Sequence, residues 1–367
     1  MSDPRPLGSA QSERQERLLA ILADRGLDAL VVTEPANVRY LTGYVGSNGI
    51  ALIGTGGRVL VTDSRYAVSA GEQVRGADVR VGKRDLLADV AGALPDVAGG
   101  GRIGVEAESL TLARHERLAE QLDGLVTEPT RGLVEGLREI KGPDEVAAMR
   151  EAAAVADRAL AAVLERGIVG RSEREVAFAL HGAMLDEGAE EPSFPIIVAA
   201  GPNGARPHAV PGPEPIPAGT LVVIDLGAVV DGYCSDMTRT VATGPLPARL
   251  EEIHRVCLEA QEAAMAAARG GMTAAELDAV ARAVIAEAGF GEAFGHGLGH
   301  GVGLAIHEAP GVRPEGTARL RPGMAITIEP GIYLEGEGGV RIEDLVVLGE
   351  EDSEVLSSSP KELRIVG

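Results

Sequence analysis

Residues 170–188 read GRSEREVAFALHGAMLDEG, and residues 271–289 read GMTAAELDAVARAVIAEAG. Both stretches place Ser or Thr three positions before a Glu, as in a helix capping box, and both end in a glycine suited to a helix C-cap. Each follows another long helical pattern, one from Asp144 and the other from Arg249. A two-helix unit that occurs twice predicts two α/β halves related by a pseudo-twofold axis.

A predicted β-hairpin between these repeats carries two aspartates. Asp225 ends the β-forming run 221–224, and Asp236 begins the run 236–241. The Asp-Gly step at 231–232 is a strong signal for a hairpin turn. We therefore expect Asp225 and Asp236 to lie opposite each other or one register step apart, with Cβ atoms roughly 4.5–5.5 Å apart.

A second predicted hairpin carries two glutamates. Glu329 and Glu343 end two β-forming runs, and the turn formers between the runs surround Gly336, the midpoint of the pair. The two glutamates are therefore expected to face each other. Arg341 lies two residues from Glu343 and shares its sheet face, where it can hold a carboxylate or a bound substrate.

These acidic pairs point to a cation site. Carboxylates that face one another across strands repel, and buried acids need a partner or a metal. Ordinary surface acids are the alternative, but both hairpins are otherwise apolar, which argues for burial. Four carboxylates and the imidazole of His300 suit Mn²⁺, Co²⁺, Fe²⁺ or Zn²⁺. Five ligands exceed what one ion needs, so the sequence predicts two divalent ions.

Three histidines lie in the glycine-rich run 295–307, at His296, His300 and His307. Such dense glycine predicts tight turns or a close backbone approach. A phosphate-binding loop is the alternative interpretation, but the Gly-Lys-Ser/Thr ending is missing. Three imidazoles in so short a run favour metal binding or acid–base chemistry. His208 stands in a separate loop and by itself carries no functional signal.

Taken together, these segments resemble the pita-bread metallopeptidases, and within them the Xaa-Pro aminopeptidase and prolidase branch. The resemblance extends from about Glu139 to near the C-terminus. It rests on five segments: 224–227 (IDLG), 234–240 (CSDMTRT), the glycine-histidine run 295–307, 328–333 (IEPGIY) and 340–344 (VRIED). A weaker resemblance links 37–44 (NVRYLTGY) and 62–66 (TDSRY) to the creatinase-type N-terminal domain.

The resemblance implies two domains. An α/β N-terminal domain is expected over residues 12–133, followed by an α+β pita-bread catalytic domain with an internal pseudo-twofold repeat over residues 139–367. Helical and strand patterns alternate to about Val126, and the stretch 127–142 is rich in turn formers. The boundary is therefore expected within that stretch.

The resemblance also implies roles for the site residues. The expected metal ligands are Asp225, Asp236, His300, Glu329 and Glu343, and the expected substrate-facing residues are His208, His296, His307 and Arg341. Asp236 and Glu343 are expected to bridge two ions. Asp225 and His300 are expected to complete one ion each, while Glu329 also carries a proton to the leaving proline nitrogen.

The reaction that the family implies is removal of an N-terminal residue ahead of proline. The proline nitrogen carries no hydrogen, so a closed site that grips the free amine and the proline ring is expected. A hydroxide bridging two metal ions is the expected nucleophile. His208 and His307 are expected to stabilise the oxyanion or orient proline, and His296 to pack near the proline pocket. Mn²⁺ is the expected metal, with Co²⁺ and Zn²⁺ as alternatives.

An Xaa-Pro aminopeptidase is the main prediction, and an Xaa-Pro dipeptidase, or prolidase, is the alternative. Some dipeptidases of this family carry an arginine four residues after the His of a His-Glu step, where it holds the substrate carboxylate. Here that position is Gly311 and the nearest arginine is Arg313, which favours the aminopeptidase. A non-catalytic pita-bread binding protein is a remote alternative, because such proteins typically lose ligands and all five are present.

Composition argues against several other classes of protein. The chain has 367 residues and a net charge of −21, which disfavours nucleic acid and anionic membranes as partners. Its two cysteines suggest no disulfide framework, and the polar residues 1–17 lack an apolar signal region. A cytoplasmic protein is expected, and by family resemblance a homodimer that acts on peptides with proline in second position.

Residues 1–11 are expected to form a disordered tail ahead of a helix at 12–25.

Overall fold

The structure, a computed structural model, describes residues 9–122 and 124–367. The chain divides into two compact units between Arg138 and Glu139. Among the described residues, no helix is long and apolar enough to cross a membrane.

The first unit is a mixed α/β unit. Its elements are α1 (Ser9–Asp24), β1 (Ala29–Val32), α2 (Pro35–Thr42), β2 (Gly49–Gly54), β3 (Arg58–Asp63), α3 (Ala67–Gln73), β4 (Asp78–Gly82), α4 (Leu87–Ala98), β5 (Arg102–Glu106), α5 (Leu112–Ala119), β6 (Val126–Thr130) and α6 (Glu135–Arg138). In its described part, the strands form one sheet in the order β4-β3-β2-β1-β5-β6. The pairs β1–β2 and β2–β3 are antiparallel, and the other pairs are parallel. Apolar residues of α4, among them Val90 and Leu94, pack on this sheet.

Two details of this unit differ from the sequence-based expectation. Helix α1 begins at Ser9, so residues 9–11 are helical and the prediction of a disordered tail is wrong for them. Residues 1–8 lie outside the described part of the chain. Strand β6 (Val126–Thr130) extends into the turn-rich stretch 127–142, because its backbone pairs in parallel with β5 despite Pro129.

The second unit contains four long helices and several small sheets. Its elements are α7 (Pro143–Glu165), α8 (Glu173–Asp186), β7 (Glu191–Pro192), β8 (Ile197–Ala200), β9 (Leu221–Leu226), β10 (Ala228–Val230), β11 (Tyr233–Cys234), β12 (Met237–Ala242), α9 (Ala248–Ala267), α10 (Ala274–Glu287), β13 (Gly299–Gly301), β14 (Glu308–Val312), β15 (Ala325–Ile328), β16 (Gly331–Leu334), β17 (Gly338–Arg341), β18 (Asp344–Leu348) and β19 (Ser353–Val355). The strands form four sheets, ordered β11-β10-β7, β12-β9-β8, β14-β13-β15-β18-β19 and β16-β17.

The repeat predicted from the capping motifs is present in the second unit. Ser172 caps α8 and Thr273 caps α10, each in a complete capping box with the glutamate three residues later. Helices α7 and α8 share a core with β8, β9 and β12, where Leu180 packs with Ile224. Helices α9 and α10 share a second core with β15 to β18, which includes Leu277. Each half therefore supplies a helix pair, a sheet and one of the two acidic hairpins.

Candidate metal centre

The first acidic hairpin brings Asp225 and Asp236 to one face of the sheet. Asp225 pairs with Thr238 across β9 and β12, so Asp236 lies diagonal to Asp225, two residues from its direct partner. The prediction that the two aspartates lie opposite or one step apart was wrong. The turn is formed by Asp231 and Gly232, both at positive φ, so the hairpin axis lies one residue beyond the midpoint of the two aspartates. An even offset keeps both side chains on the same face.

The second acidic hairpin has the predicted register. Strand β15 pairs with β18 through Ile328 and Asp344, and β16 pairs with β17 through Gly331 and Arg341. Both pairings follow the same register. Residues 329 and 343 lie between the two pairings, so Glu329 and Glu343 face each other. Gly336, at the centre of the turn, has a φ of 78°, which fits the predicted position of the bend.

His300 faces this acidic cluster from β13. Its Nδ1 donates to the carbonyl oxygen of Gly301 at 3.0 Å, which leaves Nε2 without a proton. Nε2 lies 3.6 Å from Asp236 Oδ2 and 3.5 Å from Glu329 Oε1. Burial lowers the pKa of His300 to about 4, so the ring is neutral near pH 7. A lone pair aimed at two carboxylates is unfavourable unless a cation lies between them.

The carboxylates of the cluster are crowded and buried. Burial, with repulsion from Glu343 and Asp225, raises the pKa of Asp236 well above its ordinary value. Burial and repulsion from Glu329 and Asp225 raise the pKa of Glu343 in the same way. Burial raises the pKa of Glu329 to about 7, against the lowering effect of Arg341. Without a cation, these acids are therefore stabilised in their protonated forms.

The donor set fits a divalent metal. Asp236, His300 and Glu343 each offer one ligand atom, and these atoms lie within 4.8 Å of one another. Among the described residues, the buried Oδ1 of Asp225 has no hydrogen-bond partner. An orphaned carboxylate oxygen, an unprotonated imidazole nitrogen and mutually repelling acids are all satisfied by a hard or borderline cation.

Arg341 connects the acidic cluster to its surroundings. Its Nη2 donates to Asp225 Oδ2 at 2.7 Å, and its Nε donates to Thr238 Oγ1 at 3.0 Å. Its Nη1 donates to the Tyr333 hydroxyl at 2.9 Å and to the Pro207 carbonyl at 3.1 Å. The buried guanidinium therefore holds a carboxylate, as the sequence suggested, and fixes which oxygen of Asp225 stays unpaired.

His296 lies at the end of the same hydrogen-bond chain. Its Nδ1 donates to the Gly297 carbonyl at 2.7 Å, so Nε2 accepts from the Tyr333 hydroxyl at 3.0 Å. Burial lowers the pKa of His296 to about 4, which keeps the ring neutral. The chain Arg341–Tyr333–His296 therefore sets the ring orientation of His296 without any charge on it.

Three residues around the cluster were not assigned roles from the sequence. Thr238 Oγ1 donates to Glu343 Oε2 at 2.6 Å, and Thr327 Oγ1 donates to Glu329 Oε1 at 3.1 Å. Tyr333 joins Arg341 to His296. Each threonine stands two residues from a predicted ligand on the same strand face, and this period-two spacing was the signal that could have revealed them.

Every residue that the sequence placed in the site lines one cavity of about 560 Å³. Its lining includes His208, Asp225, Asp236, His296, His300, His307, Glu329, Arg341 and Glu343. His208 and His307 are the more exposed members, and the His307 ring lies edge-on to the His300 ring at 4.4 Å between centroids. Phe194, Pro195 and Ile306 supply apolar lining. A cavity of this size, with a metal-ligating cluster on one wall and apolar side chains on another, suits a small ligand.

Residues 147–350 match metallopeptidase family M24, and residues 14–140 match the creatinase/prolidase N-terminal domain. The chain belongs to metallopeptidase family M24. The M24 match covers more than half of the chain and contains both acidic hairpins and the histidine run. The predicted two-domain architecture, with a creatinase-type N-terminal domain and a pita-bread catalytic domain, is thereby confirmed. Membership also implies a divalent metal.

Several M24 relatives match almost end to end. The structure of an Xaa-Pro dipeptidase from Bacillus anthracis is 40% identical, with a TM-score of 0.94, and the match covers 97% of this chain and 100% of that one. The Xaa-Pro dipeptidase of Pyrococcus furiosus is 37% identical over 353 residues, which cover 96% of this chain and 99% of the relative. An X-Pro aminopeptidase structure from Thermotoga maritima is 35% identical, with a TM-score of 0.89 and coverage of 96% and 100%.

Proposed function

We propose that this protein is a metal-dependent Xaa-Pro dipeptidase. The observation that carries the proposal is the convergence of Asp236, His300 and Glu343 within 4.8 Å, at a cavity that Asp225 and Glu329 also line. The cavity of about 560 Å³ beside this cluster suits a small peptide substrate. The similarity to proteins named Xaa-Pro dipeptidase supplies the substrate class.

The metal ligands proposed here are those that the sequence suggested. Asp225, Asp236, His300, Glu329 and Glu343 would hold two divalent ions, with Mn²⁺ as our proposed metal. When bound, such ions act as Lewis acids and lower the pKa of coordinated water toward about 7. The neutral His300 ring and the unpaired Asp225 oxygen support these assignments.

The remaining cavity residues would handle substrate and protons. Glu329, whose carboxyl pKa is about 7 in the metal-free protein, would carry a proton to the departing proline nitrogen. His208 and His307 line the more exposed wall, where they would stabilise negative charge on the substrate carbonyl oxygen or orient proline. His296 and Arg341 would shape the pocket through Tyr333. A homodimer stays a prediction.

We favour the dipeptidase over the aminopeptidase that the sequence first suggested. Relatives named Xaa-Pro dipeptidase match at 37% and 40% identity, while the X-Pro aminopeptidase structure matches at 35%. Gly311 stands where some dipeptidases have an arginine, but Arg313 lines the same cavity as the acidic cluster. A guanidinium there would pair with the free carboxylate of a dipeptide, which a longer peptide does not present at that position.

Hydrolysis of Ala-Pro is expected to be at least about tenfold faster, in kcat/KM, than release of Ala from Ala-Pro-Ala, because loss of one charge-assisted hydrogen bond costs about that factor. Protein supplied with Mn²⁺ would be assayed on both peptides and on Ala-Pro-amide. Arg313→Ala should raise KM for Ala-Pro and leave the amide unaffected. Arg319→Ala is the matched control, since its guanidinium bonds the Gly271 carbonyl instead. Equal or faster cleavage of the tripeptide would make the protein an aminopeptidase.

A further inference from the structure

The position of His208 depends on the backbone of its loop. His208 lies in an exposed turn within the segment that joins β8 to β9. Among the described residues, no hydrogen bond to its ring is found. A side chain without partners is placed only as well as the chain that carries it. The position of His208 therefore depends on the contacts that hold the loop against the cavity.

A buried carboxylate from α8 holds this loop at three points. Glu173 is the first residue of α8 and is 6% exposed. Its Oε1 accepts from the Ala200 backbone N–H at 2.7 Å. Its Oε2 accepts from Asn203 Nδ2 at 2.8 Å and from the Gly212 backbone N–H at 2.7 Å. These donors lie on both sides of His208 in the sequence, so one side chain ties together both arms of the loop.

The helix itself does not require a carboxylate at this position. Helix α10, the repeat counterpart of α8, begins with Ala274 and keeps the same complete capping box. The capping function in α8 belongs to Ser172 and Glu175, which bond each other. The half of the unit that carries His208 therefore has a buried carboxylate, that of Glu173, which the capping of its helix does not need. Among the described residues, no lysine or arginine forms an ion pair with it, so its charge is balanced by the loop donors.

The same loop is held from the metal side. Arg341, which binds Asp225, donates to the carbonyl of Pro207, the residue before His208. The loop is therefore anchored between α8 and the acidic cluster. We propose that Glu173 is a positioning residue that sets the location of His208 over the cavity. Its effect on catalysis rests on the proposed function, whereas its effect on the loop does not.

Hydrogen–deuterium exchange on the folded, full-length protein tests the loop directly. In Glu173→Gln, one carboxylate oxygen becomes an NH2 group that accepts no hydrogen bond, so the amide of Ala200 or that of Gly212 should exchange at least about tenfold faster than in the wild type. Glu175→Gln is the matched control, because within the described part of the chain the Glu175 carboxylate bonds Ser172 in the same helix turn and no residue of the loop. It should leave those two amides unchanged. Unchanged exchange in Glu173→Gln would overturn the proposal.

A double-mutant cycle separates positioning from general destabilisation. Glu173→Gln should lower kcat/KM for Ala-Pro about tenfold when His208 is present, and less than about twofold in the His208→Ala background. Equal losses in both backgrounds would overturn the proposal. Asn203→Ala removes one of the three bonds, and it replaces Glu173→Gln if that variant fails to fold. A wild type that cleaves no Xaa-Pro peptide would refute the proposed function, and the exchange data would still decide the role of Glu173.

Discussion

Glu329→Gln is expected to lower kcat for Ala-Pro about a thousandfold, the middle of the range for loss of a general acid–base group. Glu329 lies 3.5 Å from His300 and accepts from Thr327. Burial places its pKa near 7 in the metal-free protein, which suits proton transfer at neutral pH. Glutamine keeps the shape and one acceptor oxygen, but it exchanges no proton.

The Glu329→Gln experiment needs a folding control and a metal measurement. Glu335→Gln makes the same change at an exposed residue in the turn between β16 and β17, and it should retain full activity. Circular dichroism and metal content report whether the variant is folded and loaded. A folded, metal-loaded Glu329→Gln protein with a wild-type rate would refute the proton role.

Asp236→Asn is expected to have opposite effects on the metal-bound and metal-free protein. With Mn²⁺, the variant should bind metal at least about tenfold more weakly, because a charged ligand becomes a neutral amide. Without metal at pH 8, it should melt about 3 °C higher than the wild type, because the unfolded chain gains free energy by ionising Asp236 and an amide does not ionise. Calorimetric titration and thermal melts measure the two effects.

The same buried acids should make the stability of the metal-free protein depend on pH. The pKa values of Asp236, Glu329 and Glu343 are raised in the folded protein, so the folded state holds protons that the unfolded chain releases. The stability they contribute is present at low pH and is lost as pH rises, for Glu329 between about 4.5 and about 7. Asp236→Asn should lose less stability over this range. Asp231→Asn, in the exposed turn of the same hairpin, should follow the wild type. A metal-free Asp236→Asn variant that loses as much stability as the wild type from pH 5 to 8 would contradict the proposed effect of Asp236.

Features of the fold that depend on local sequence could be predicted well. The capping boxes at Ser172 and Thr273 use residues three apart, so the sequence alone locates both helices. The register of Glu329 and Glu343 follows from a turn centred on their midpoint. The register of the aspartate pair was misjudged because a two-residue turn at Asp231-Gly232 places the axis one residue away from the assumed midpoint.

Features of the site that depend on distant segments could not be predicted. Arg341 meets Asp225 and Pro207, which lie 116 and 134 residues earlier in the chain. Nothing local in the sequence identifies those partners. Glu173 stands inside the capping motif, but its bonds reach forward to Gly212 across the loop, and nothing local in the sequence predicts them. His208 carried no signal from its neighbours and gained one only from the family resemblance.

The most direct test of the central claim is Ala-Pro hydrolysis by chelator-stripped protein, before and after Mn²⁺ is restored. We expect negligible hydrolysis without metal, and recovery of activity with Mn²⁺, because the acidic cluster binds no substrate carbonyl by itself. Asp236→Asn under the same conditions should recover far less. Full hydrolysis by the stripped protein, or none after metal has demonstrably bound, would contradict the assignment of this site as a metal-dependent Xaa-Pro dipeptidase.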